Sequence, residues 1–293
     1  MNVSAASDAP RAAWKEALKR PLVRSADAGL VGSEAHASYL VDLGLPREVI
    51  SLGYNVVDNV FFREGAHRAR EAPPPSALPA LQDSTPYFIA SNRFVERKNL
   101  GTLLKAYAEY RQRTLSPWRL LLLGDGPLRA DLEIAASDGV EFCGFQKHTT
   151  LPTFYGRAGA FVHPSRMDQW ALVVNEAMAA GLPVLVSTGS GCYPYLVEPG
   201  RNGWTFAPDD AERMTTLLLR LTDMPASARR TMGEASQNIV ARFGPERFAE
   251  GLSTALHTGA PRSTRGLTWS ARLALAALRV TARHPMSFHA ITE

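Results

Sequence analysis

Ser165-Arg166-Met167-Asp168-Gln169-Trp170-Ala171-Leu172-Val173-Val174-Asn175-Glu176-Ala177-Met178-Ala179-Ala180-Gly181-Leu182-Pro183-Val184 lies between two apolar runs, residues 158–162 before it and 184–186 after it. Runs this short and this apolar read as strands buried on both faces. The stretch between them reads as a loop carrying one acid, Asp168, then a helix carrying a second, Glu176. Gly181 and Pro183 form the stop signal, a glycine to end the helix and a proline that cannot continue it. As a unit it is a strand–loop–helix–strand crossover. Its acids are either solvated or the wall of a ligand site at the carboxyl end of a strand.

The same alternation extends in both directions. Apolar runs occur at residues 87–90, 119–123, 140–143, 160–162, 184–186 and 204–206, separated by helical patterns. In the helix expected over residues 100–113, Leu103, Leu104, Tyr107 and Tyr110 fall on one side. Strands alternating with helices predict an α/β fold with a parallel sheet covered on both faces. Six strands in the order 3-2-1-4-5-6 would make a Rossmann-type doubly wound domain. Its first and fourth strands are then neighbours, and the loops that follow them diverge at the switch point. Those loops are residues 92–99 and 164–170, the richest in chemistry.

Ahead of this domain, residues 11–64 read as a short α/β stretch. A helix is expected over residues 11–20, a strand over 28–31, a helix from Ser33 to Leu43 closed by Gly44, and a strand over 49–53. Such a segment is too small to cover both faces of a sheet alone. Pro73, Pro74, Pro75 and Pro79 mark a linker. The expected division is residues 1–66 as an N-terminal remnant, 67–85 as linker, 86–257 as the main domain and 258–293 as a basic amphipathic tail helix. Residues 210–257 read as three helices. In the tail, Arg272, Arg279 and Arg283 share a stripe and no acid occurs from Gly251 to Thr292. Such a stripe fits a helix that returns to the first domain or one that lies on a membrane surface.

Composition narrows the class. The 293 residues are 45% hydrophobic and 20% charged, with a net charge of +4, which describes an ordinary globular protein. That mild charge does not require nucleic acid, and none is expected as partner. Cys143 and Cys192 have no CxxC partner, so neither a disulfide framework nor a cysteine metal site is expected. No leader peptide or membrane-spanning run is evident, and a cytoplasmic location is expected, with peripheral contact at the inner face of the membrane as the use of the tail.

Three loops could carry chemistry. Arg93 and Lys98 lie between a strand end and a helix start, a setting that suits a polyphosphate; a solvated basic loop is the competing reading. Gly124-Asp125-Gly126-Pro127 is either a simple βα turn or a place where a ligand approaches the backbone. It lacks the G-x-G-x-x-G spacing, which counts against a redox dinucleotide domain. Asp168 and Glu176 are about 12 Å apart if the segment is wholly helical, too far to share a proton and suited to two parts of one elongated ligand. The N–H groups of residues 171–173 would face a phosphate held at that helix start. His163 reads as a packing or hydrogen-bonding residue, and Cys192 as a buried turn cysteine.

Taken together, Arg93-x4-Lys98, Gly124-Asp125-Gly126-Pro127, Gly144-Phe145, Pro164-Ser165, Asp168-x7-Glu176 and Asn202-Gly203 resemble the donor-binding half of retaining GT-B glycosyltransferases of group 1, the GT4 family. The resemblance covers roughly residues 20–257. It implies a glycosyltransferase that takes a UDP- or GDP-linked sugar donor and passes the sugar to an acceptor with retention, without a cofactor or metal. It assigns Arg93 and Lys98 to the pyrophosphate, Asp168 to the donor sugar and Glu176 to the ribose. Gly124, Asp125 and Gly126 line the donor site, Ala171 and Leu172 meet the phosphate, and Phe145 lies by the base. Asp168, Arg93 and Lys98 would be the groups closest to the reaction. The chain departs from the pattern in three places. Asp168 replaces a glutamate and is shorter by about 1–1.5 Å. Ala171 replaces a glycine. The acceptor-side domain is reduced to residues 11–64, so that a complementary subunit meeting the tail and N-terminal segment, or a non-catalytic donor-binding role, stands as the alternative.

Overall fold

The structure, a computed structural model, describes residues 13–259 together with Trp269 and Leu273. These divide into two compact units, one holding the described residues up to Asn55 and those from Glu246 on, the other Val56–Pro245.

In the first unit α1 (Ala13–Arg24) is followed by β1 (Gly29–Val31), α2 (Glu34–Leu43) and β2 (Ile50–Leu52). Gly44 adopts φ 102° at the end of α2, the left-handed conformation that the expected stop requires. The two strands pair in parallel, and Val23, Leu40, Leu43 and Ile50 form a small core around them. The Tyr39 hydroxyl donates to Glu16, which also pairs with Lys19, joining α2 to α1.

The second unit opens with α3 (Asn59–Glu71), then β3 (Tyr87–Ser91), α4 (Leu100–Gln112), β4 (Arg119–Leu123), α5 (Arg129–Ala135), β5 (Val140–Gly144) and α6 (Leu151–Arg157). It continues with β6 (Ala160–His163), α7 (Leu172–Ala179), β7 (Val184–Ser187), α8 (Tyr193–Leu196), β8 (Gly203–Phe206), α9 (Ala211–Asp223) and α10 (Ala226–Val240). The six strands form one parallel sheet in the order β5-β4-β3-β6-β7-β8, which is the 3-2-1-4-5-6 order. Side chains alternate between the faces. Tyr87, Ile89, Leu121, Phe161 and Val184 join a core with α3, α6 and α7; Phe88, Ala90, Leu120, Val162 and Leu185 join one with α4 and α9. Leu103, Leu104, Tyr107 and Tyr110 are all buried there, as their spacing requires.

Two boundaries differ from expectation. The segment around residue 66 is the middle of α3, not a domain edge followed by linker. Phe62, Ala66 and Ala69 form its buried stripe, its polar face is what the sequence displays, and the chain leaves helical structure only at Ala72, before the prolines. The last described helix, α11 (Pro245–Thr258), does not close the main domain. From Glu246 it belongs with the two-stranded sheet, where Gly251 lies so close that a Cβ there would come within 2.1 Å of the Leu52 carbonyl. The tail helix expected over 258–293 lies almost wholly outside the described residues.

Candidate functional site

The loops after β3, β4 and β5 are joined backbone to backbone. Asn92 N–H donates to Leu123 O, Phe94 N–H to Asp125 O, and Gly124 N–H to Gly144 O. Gly124 sits at φ 126°, and a Cβ on it would lie 1.8 Å from the Asn92 carbonyl; one on Gly126 would lie 2.5 Å from the Phe94 carbonyl. The two glycines therefore answer first to the neighbouring loop. They are what lets the two strand ends approach.

The loops after β3 and β6 are held together by Asn99. It stands at φ 58° and sends its side-chain amide to the carbonyls of Pro164 and Pro208. Arg166 N–H donates to Arg97 O alongside. The loop after β7 completes the arrangement. Asp168 N–H bonds Gly189 O and Gly191 N–H bonds Asp168 O, while Cβ atoms on Gly189 and Gly191 would lie 2.3 and 2.2 Å from the carbonyls of Arg166 and Gln169. Asp168 is thus fixed on both sides by backbone.

At the carboxyl ends of β3, β4 and β5, extending to α7, lies a cavity of about 520 Å³. It is lined by Arg93, Gly124, Asp125, Phe145 and Glu176, among others. These are five of the residues singled out from the sequence. Phe145 is 80% exposed, a ring held at the mouth with little to pack on. Gly126, Lys98, Asp168, Ala171 and Leu172 do not line this cavity. Lys98 and Asp168 instead form an ion pair, and His163 Nε2 is 3.2 Å from the same Asp168 oxygen. Ala171 starts α7 in the left-handed conformation, φ 68°, at the position where the related pattern has glycine; Leu172 beside it is exposed.

The two acids differ in charge state, and the reason is their neighbours. Glu176 is pushed up to about 7 because it is buried; the Tyr155 hydroxyl, donating at 3.1 Å, pulls the other way and is outweighed. Burial also opposes ionisation of Asp168, yet the hydrogen bond to His163 and the Lys98 ammonium overcome it and hold its carboxyl well below the usual range. Burial lowers His163, so the ring is neutral at pH 7 and its Nε2–H donates to Asp168. One acid is therefore a fixed anion paired to a cation, while the other titrates near neutrality.

Sequence reasoning missed Asn92, Gln146 and His148 as cavity residues, and Tyr155 as the partner of Glu176. His148 stacks on Phe61 of α3, centroids 4.7 Å apart. No local pattern announces such a pair, because the two rings belong to segments 87 residues apart in the chain. Cys192 is wholly buried, as its turn position suggests. Among the described residues no three His, Cys, Asp or Glu side chains converge to hold a metal ion, and no helix is long and apolar enough to cross a membrane.

A doubly wound sheet with its cavity beside the switch point is the architecture of the Rossmann-type domains, whose ligands lie at that point. The family profile of glycosyl transferases group 1 matches residues 78–239, and the chain belongs to that family. It is 30% identical over 215 residues to the putative colanic acid biosynthesis glycosyltransferase WcaL of Escherichia coli, covering 69% of this chain and 49% of the relative. Among solved structures, sucrose-phosphate synthase from Thermosynechococcus elongatus superposes with a TM-score of 0.64 at 25% identity, covering 93% of this chain and 64% of that one. HepE of Anabaena, in complex with UDP, superposes with a TM-score of 0.69 at 19% identity, covering 86% and 71%. The chain spans 34%, 49% and 58% of the lengths of three curated relatives that it matches.

Proposed function

We propose that this chain binds a nucleotide-sugar and serves as the donor half of a glycosyltransferase that transfers the sugar with retention to an acceptor of unassigned class. The observation that carries the reading is the convergence of Arg93, Gly124, Asp125, Phe145 and Glu176 on one cavity at the strand ends. In this reading the base lies by Phe145, the ribose hydroxyls bond Glu176, and the pyrophosphate meets Arg93 and Lys98 at the start of α7. The positive charge of those two side chains stabilises the departing diphosphate. Asp168, already ionised and fixed by backbone on both sides, is placed to accept hydrogen bonds from the donor sugar. UDP-sugars are the first donors to try, since HepE is a structural neighbour solved with UDP.

Calorimetric titration of the purified chain with UDP-glucose and GDP-mannose tests this. Binding of one of them should be abolished by Glu176→Ala and by Lys98→Ala. Unchanged affinity in both variants would sink the reading. A second reading, binding without turnover, is favoured by the size of the first unit, whose sheet has two strands among the described residues. Hydrolysis or transfer by the 293-residue chain would rule that second reading out.

A further inference from the structure

Tyr155 is wholly buried in α6, yet it carries a polar group that must be satisfied. Its ring is held on two sides. Phe62 of α3 is 6.0 Å away and tilted; Phe161 of β6 is 5.9 Å away and edge-on. The backbone behind it cannot retreat, because α6 meets α3 at Gly156, where a Cβ would lie 2.6 Å from the Ala66 carbonyl. The hydroxyl is thereby fixed in place, and it donates to Glu176 Oε2 at 3.1 Å. Ser91, at the end of β3 and in the wall of the cavity, is a second polar side chain that acts on the Tyr155 hydroxyl. Tyr155 thus adjoins two residues that line the cavity, Ser91 and Glu176.

We propose that Tyr155 is a positioning residue for Glu176. By holding one carboxylate oxygen it leaves the other turned to the cavity, where the hydroxyl pair of a nucleotide ribose would be taken. The proposal rests on Glu176 being the ribose ligand. Ser91 supports the arrangement by orienting the phenol. A carboxylate on a two-carbon stem has several rotamers; in the buried setting of α7 the tyrosine selects among them. The other ionisable groups nearby are engaged elsewhere or lie across the cavity. Arg70 of α3 donates to Ala180 O and His163 of β6 bonds Asp168. Arg93, Asp125 and His148 line the cavity with Glu176.

The test uses the full chain and two readouts. The first is a pH titration of the Glu176 carboxyl by ¹³C NMR in ligand-free protein, its signal assigned by its loss in Glu176→Gln. Tyr155→Phe keeps the ring and its packing and removes only the hydroxyl. It should raise the Glu176 midpoint by about one unit, the shift equivalent to one hydrogen bond to a carboxylate. Ser91→Ala leaves the ring untouched and should raise it by a smaller amount in the same direction. The second readout is calorimetry with UDP-glucose and GDP-mannose at pH 8.5, where Tyr155→Phe should bind about tenfold more weakly than wild type. A purely packing role would lower the melting temperature and leave the midpoint where it is. An unmoved midpoint in both variants overturns the proposal, and so does a moved midpoint with wild-type affinity. Failure of the wild type to bind either donor is a different result: it sinks the donor reading, while the ligand-free titration still reports on the Tyr155–Glu176 contact.

Discussion

Replacing Glu176 by glutamine should make this protein more stable at alkaline pH while weakening its site. Burial moves the Glu176 carboxyl from its ordinary 4.5 to about 7. The folded state therefore binds more protons than the unfolded chain between those two values, and stability falls as pH rises through that window. With each unit contributing about 1.4 kcal/mol, the full loss over about 2.5 units is about 3.5 kcal/mol, nearly complete above pH 8. About 2.5 kcal/mol of it lies between pH 5 and pH 8.5. Glutamine has the same shape and no charge to lose, so Glu176→Gln lacks this pH dependence. Urea unfolding of both proteins, ligand-free, at pH 5 and at pH 8.5 gives two stability differences in which every other titrating group cancels. The glutamine variant should gain about 2.5 kcal/mol on wild type between the two pH values. A difference constant to within about 0.5 kcal/mol, a third of a single unit's worth, would show that Glu176 is already ionised in the fold and refute the argument. The same variant should bind nucleotide-sugar less well at pH 8.5, a case of stability given up at a site.

Donor affinity of the wild type should itself rise with pH through about 7 and level off above it, because ribose hydroxyls donate best to the ionised Glu176; a UDP-glucose titration series showing no trend, or the same trend in Glu176→Gln, would count against that assignment. Ala171→Gly should hold or raise the melting temperature. It relieves a left-handed alanine that costs about 1–2 kcal/mol, against about 0.4–1 kcal/mol of added chain entropy; a loss of the size seen for glycine inside an ordinary helix would contradict the strain. Two alanine substitutions at glycine should part company. Gly124→Ala should destabilise by more than about 2 kcal/mol, since it adds both strain and a clash with Asn92. Gly101→Ala, in α4 with nothing within 4 Å, should stabilise by about 0.5–1 kcal/mol, and chemical denaturation of the pair checks both signs.

The sheet was legible because its strands are buried on both faces and so appear as bare apolar runs; the order was the commonest one for six such strands, and it placed the two chemically rich loops at the switch point. The boundary at residue 66 failed for the opposite reason. Asn59–Glu71 buries only a narrow stripe, Phe62, Ala66 and Ala69, and the charged remainder beside four prolines resembled linker. The helical spacing of those three residues is present in the sequence, but it is short and lies directly ahead of the prolines. Arg93 could be named from local pattern, since it lies between a strand end and a helix start, and Glu176 from its spacing to Asp168 in the helix that follows. What holds them could not. Asn99, Gly189, Gly191 and Tyr155 act across many residues of intervening chain, and their partners are fixed by the packing of the sheet. Gly124 lines the cavity, and both it and Gly126 are also required by close approach to the loop after β3, a contact that no local pattern shows. Asp168 was expected on a ligand and stands paired to Lys98.

Asn99 has a kinetic consequence. One side chain bonds the carbonyls that follow two different strands, and its own backbone is in a conformation few residues adopt. The loop carrying Arg93 and Lys98 is therefore tied to the loop carrying Asp168 before any ligand arrives. A donor bound as proposed meets two loops that are already joined, and little free energy is lost to ordering them. Association should be limited by encounter and orientation, with a single-exponential approach to equilibrium whose rate rises in proportion to donor concentration.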